Sequence, residues 1–161
     1  MSQEKENPFA DKPVTVTRFQ GLADQGYVVV ITQAYGADGE DLMQYEDGPR
    51  FSGERGIRIR VRQGDLEEDI YLSPFFGDPS KVHSLPFKEG RQCELFCPVS
   101  GAPLDEIPGM RTDEGGIYYA VYLTPKLKYG ELVAINDVWG NTESRMLSED
   151  ELLSRFADAD E

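Results

Sequence analysis

Ile57, Ile59 and Val61 alternate with Arg58, Arg60 and Arg62. A period of two is the repeat of a β-strand, so one face of this segment is buried and the other carries three guanidinium groups. Gln63-Gly64-Asp65-Leu66 turns the chain toward Glu67-Glu68-Asp69-Ile70-Tyr71-Leu72, which returns as the second arm of a hairpin. Opposite charges on neighbouring strands attract, so the acids of the return arm are expected to pair with the arginine row. Read functionally, the same row offers an anion-binding surface for phosphate or carboxylate groups. The acids that follow it directly weaken that use.

The rest of the chain reads as further short strands. Val14-Thr15-Val16-Thr17 begins the first, and the segment 27–33 is apolar on both faces, which predicts a central, covered strand. From 35 to 53 the pattern dissolves into a long polar loop with turn signals at Asp38-Gly39 and Asp47-Gly48. Its acids, Asp38, Glu40, Asp41, Glu46 and Asp47, lack the spacing of an EF-hand calcium loop. Ser73-Pro74-Phe75-Phe76-Gly77-Asp78-Pro79 ends the second hairpin arm, because two prolines cannot continue a paired strand. A short strand is expected at 93–97, a loop at 105–116, and an antiparallel pair at 117–123 and 131–138. Ser148 and Glu151 form a capping box, with Leu147 and Leu152 as its hydrophobic staple. Leu152, Leu153 and Phe156 then give a stripe that predicts one C-terminal helix docked on the sheet. The expected class is α+β and β-rich: a mostly antiparallel sheet or partly open barrel plus that helix. It spans 14–157, between a loose arm at 1–13 and an acidic tail at 158–161.

Composition excludes more than it proves. Thirty acidic and 16 basic residues give a formal net charge of −14, so bare nucleic acid and anionic membrane surfaces are repelled. A basic protein partner, a cation or a neutral ligand is not. No apolar run approaches the roughly 20 residues of a membrane span. The first residues have neither a basic start nor an apolar stretch, so a cytoplasmic address is expected. His83 is the only histidine, and no glycine-flanked serine elbow, HExxH helix or phosphate-cradling loop accompanies it. Catalysis is therefore not the expected role.

Cys93 and Cys97 are the two cysteines. On one strand their Cα atoms stand roughly 13 Å apart at about 3.3 Å per residue, too far for a disulfide. Cys97-Pro98-Val99-Ser100-Gly101-Ala102-Pro103-Leu104 resembles the C-P-x-C-G-x-x-L knuckle of zinc-ribbon proteins. In that family two thiolates grip zinc from a turn whose glycine lets backbone amides face the sulfurs. Pro98 and Gly101 match the pattern, but Ser100 stands in place of the second cysteine. A structural zinc site wants four ligands, usually Cys or His. The resemblance therefore implies a degenerate knuckle, a turn without its metal, and no cofactor is expected. Leu72-Ser73-Pro74-Phe75-Phe76-Gly77 shares its form, apolar-small-Pro-x-x-Gly, over six residues.

The function expected from these readings is a non-catalytic binding or accessory protein acting through protein-protein contacts. Phe75, Phe76, Trp139 and the row Arg58, Arg60 and Arg62 are the candidate contact residues. The alternative is a small-ligand or metal-binding protein that uses Cys93, Cys97 and His83.

Overall fold

The computed structural model describes residues 25–26, 28–44, 47–141 and 144–147. Within them the chain forms three antiparallel sheets. β1 (Arg50–Phe51) and β2 (Glu54–Arg55) make a small ribbon, turned by Ser52 and Gly53 at positive φ. β3 (Ile57–Gln63) and β4 (Leu66–Leu72) are the hairpin that the arginine alternation predicts. Its register sets Ile59 opposite Ile70, Arg60 opposite Asp69 and Arg62 opposite Glu67. β5 (Lys81–Val82) flanks β4 and β6 (Glu94–Phe96) flanks β3, giving the order β5-β4-β3-β6.

The third sheet holds β7 (Glu106–Arg111), β8 (Ile117–Tyr122), β9 (Leu132–Asn136) and β10 (Ser144–Leu147), ordered β10-β9-β8-β7. Alternation assigns its faces. Tyr119, Val121, Val133 and Ile135 turn toward the hairpin's aliphatic face and share one core with Ile57, Ile59, Val61 and Ile70. Tyr118, Ala120, Tyr122, Leu132 and Ala134 form a second cluster with Ile107 and Met110. Each fully buried aliphatic side chain contributes roughly 1.5–3 kcal/mol through area removed from water, so both faces of this sheet stabilise the fold.

Isolated bridges stitch the two larger sheets together. Gln92 pairs with Val138, flanked by Cys93 N donating to Asp137 O at 2.7 Å and Trp139 N to Arg91 O at 2.9 Å. Tyr35 pairs with Tyr122 on β8, while Met43 pairs with Ile57 on β3. One stretch, residues 35–43, thus touches both sheets.

Several expectations need correction. The α+β class gives way to an all-β arrangement, since the described residues contain no α-helix, only a 3-10 turn at Leu127–Tyr129. The helix expected from Ser148 onward lies outside the described residues. Leu147, expected to staple that helix, belongs to β10 and pairs with Leu132. The segment 27–33 is not a central strand: over its described residues only Val30 bridges, to Phe75, and Val28 is 77% exposed. Val29 and Ile31 are nonetheless buried, which accounts for its apolar composition. Nor is 35–53 a solvated loop throughout, because Leu42 and Met43 enter the core. The expected loop at 105–116 contains β7, whose register shifts between Glu106 and Arg111. That irregularity accommodates Pro108, which has no amide to give a regular ladder.

Candidate functional site

The shared core is not completely filled. A cavity of about 130 Å³ lies between the sheets, walled by Ile57, Ile59, Val61 and Ile70 on one side and by Val121, Val133 and Ile135 on the other. Its walls follow from the two hairpin registers, which set Ile59 against Ile70 and Val121 against Val133. Cys93 and Leu95 line it as well.

Two turns form the mouth. The first leaves β4 at Ser73, whose hydroxyl accepts from Phe75 N at 3.1 Å, and Gly77 completes it at φ 89. Asp78 then accepts from the Ser80 amide at 3.0 Å and the Ser80 hydroxyl at 2.8 Å. These bonds hold its carboxyl below the ordinary range, with the Ser73 hydroxyl the largest contribution. The second turn leaves β9, and Asn136 Nδ2 donates to Asn141 Oδ1 at 3.2 Å across it. Asp137 is 3% exposed and accepts from Ile117 N at 2.9 Å and Gln92 Nε2 at 3.3 Å.

The candidate aromatics meet here. Phe75 and Phe76, and Trp139 more than 60 residues further on, all line the cavity and are half-buried. The indole is held on several sides. His83 meets it edge-on at 4.8 Å between centroids, Phe87 lies at 4.6 Å, and Lys81 Nζ stands 5.2 Å from its centre. Burial pushes the Lys81 ammonium below its ordinary pKa, against the opposing pull of Glu89.

The arginine row is directed elsewhere. Arg60 Nε donates to Asp69 at 2.7 Å and its Nη2 reaches Pro98 O at 3.2 Å, fastening the turn after Cys97 to β3. Arg62 pairs with Glu94 at 2.8 Å and lies over Phe96 at 4.9 Å. The Arg58 Nε is buried without a hydrogen-bond partner.

Cys93, Cys97 and His83 do not share one centre. Cys97 is fully buried, beside Gly36. Its turn is tight: Ser100 N points at the Cys97 sulfur at 3.5 Å, Gly101 N donates to Cys97 O at 2.9 Å, and Gly101 has φ 80. His83 is exposed, with Nδ1 at 3.1 Å from Leu85 O. Both cysteines are free, and among the described residues no three His, Cys, Asp or Glu side chains converge as a metal site.

Burial raises the Cys93 thiol from 9.0 to about 11, although Gln63 Nε2 at 3.4 Å favours the thiolate. A raised folded pKa gives stability that is complete below pH 9 and is lost as pH rises toward 11. Over that interval the wild type should lose on the order of 2 kcal/mol more than Cys93→Ala, read from urea melts at successive pH values. Parallel pH curves for the two proteins would refute this assignment.

Sequence patterns did not disclose Lys81 or the cavity. Lys81 follows a proline-broken loop in a two-residue strand, too short to carry a period. The cavity exists only once the two sheets face each other. No helix among the described residues is long and apolar enough to cross a membrane. Comparison with protein-family models, curated proteins and solved structures finds no match to this chain.

Proposed function

We propose that this protein is a non-catalytic binder of a small, largely apolar molecule, taken up between its two larger sheets. The observation that carries this reading is the apolar cavity of about 130 Å³ with an aromatic mouth. Its size is close to the roughly 150 Å³ apolar void that is known to take up benzene in an engineered protein. A single ring or a short branched chain fits that space. Binding rather than turnover follows from the groups at hand: the Cys93 thiol is held protonated by burial, and the His83 ring is engaged with Trp139 and Leu85 O. Phe75, Phe76 and Trp139 are in this reading given to a small molecule rather than to a protein surface. A cytoplasmic address suits two free, buried thiols.

Trp139 is the only tryptophan, so its fluorescence reports the mouth directly. Titration with benzyl alcohol and with indole should give a saturable change in emission, matched by shifts of the β3 and β9 amides in NMR spectra. Ile135→Phe, which places a ring in the cavity, should remove both responses while leaving the thermal transition in place. Equal responses from the wild type and Ile135→Phe, or none from the wild type at millimolar probe, would overturn the proposal.

A further inference from the structure

The polar groups around the cavity mouth are not equivalent. Asp78 is engaged by Ser80, Asp137 by the Ile117 amide and Gln92, and Asn136 by Asn141. Lys81 is different. It lines the cavity, yet it forms no ion pair with any described carboxylate, whereas Arg60, Arg62 and Arg111 all do. Its Nζ stands over the face of Trp139, 5.2 Å from the ring centre, and Glu89 acts on it only from beyond ion-pair distance. A half-buried ammonium that rests on a π face retains donors for an oxyanion, and a partly desolvated ion pair gains more than one in bulk water.

From this placement we infer that the ligand is a monoanionic carboxylate bearing one ring or a short branched chain, its apolar end in the cavity and its carboxylate on Lys81. The inference rests on the cavity being a binding site. One lysine balances one charge, and the net charge of −14 together with Asp78 beside the mouth disfavours phosphate esters and dicarboxylates. Trp139 serves two ends of the same molecule, its face toward the ammonium and its ring against the apolar body.

Benzoate, benzyl alcohol and phenyl phosphate are suitable probes for the full chain, with affinities measured by calorimetry and NMR at pH 7. Benzoate should bind at least tenfold more tightly than benzyl alcohol, and phenyl phosphate more weakly than benzoate. Lys81→Met and Lys81→Gln should each remove that tenfold advantage of benzoate over benzyl alcohol, and a retained cooperative thermal transition establishes that both variants are folded. Lys81→Arg should retain most of the preference. If benzyl alcohol binds and benzoate does not exceed it, the headgroup inference fails and the cavity reading stands. If neither probe binds, both fail. A preference for benzoate that survives in Lys81→Met overturns the role of Lys81.

Discussion

Replacing Ile70 by alanine is expected to cost the fold about 3–5 kcal/mol, the upper part of the range for deleting a buried aliphatic side chain. Ile70 is 1% exposed, pairs with Ile59 across the hairpin and lines the cavity. In a close-packed core, part of the loss is recovered when neighbours settle into the space. Here the deleted atoms border a space already present, so the two voids merge and little settling is available. Urea denaturation of Ile70→Ala and Ile70→Val measures the effect, with roughly 1 kcal/mol expected for the valine. A loss below about 1.5 kcal/mol for the alanine would mean that the walls collapse inward, contrary to a rigid cavity. The same variant should accept a larger ring than the wild type does.

Tyr122→Phe is the second large effect. The Tyr122 side chain is fully buried on the other face of the β8 sheet, and its hydroxyl donates to Asp105 Oδ2 at 2.5 Å. Burial and the neighbouring Asp105 carboxylate both push the phenol above its ordinary pKa, which keeps it a donor. Removing the hydroxyl leaves a half-buried carboxylate short of that donor, at a cost of about 2–3 kcal/mol for a bond to a charged group. Asp105→Ala should cost a similar amount by leaving the phenol without its acceptor. The double variant should fall short of the sum by about 1–2 kcal/mol, because the second change removes a group that the first has already stranded. Strict additivity in denaturant melts would show that the two groups act independently.

The hairpin at β3 and β4 was legible because its signal is local: one face aliphatic, the other charged, with a glycine turn between. Arg60 and Asp69 are bonded as that pattern requires. The β8 and β9 pair was legible from a different local signal, two aromatic and aliphatic runs separated by a stretch of turn residues. Leu42 and Met43 were hidden in a polar stretch because their burial depends on a bridge from Met43 to Ile57, which no window of adjacent residues contains. The opposite error arose at Leu147, where a locally sound helix signal met a strand partner in β9. The resemblance between the turns at 72–77 and 96–101 does have a physical counterpart. In each, a buried small side chain receives a backbone amide, Phe75 N to Ser73 Oγ and Ser100 N to Cys97 Sγ, and a glycine of positive φ closes the turn. At the candidate site the aromatics could be singled out by type, whereas Lys81 could not, since only packing sets it apart from other lysines.

The short strand β5 has a bearing on self-association. It closes one edge of the hairpin sheet with only two residues, just beyond Pro79, and one of the two is Lys81. Exposed strand edges recruit strands from other molecules, and proline and brevity are among the means by which natural sheets prevent this. At the opposite edge, β6 is covered through the Phe96–Pro103 bridge and the Leu104 N to Leu95 O bond. With two residues and a proline just before it, β5 therefore offers too little edge for a strand of another molecule to add to the sheet.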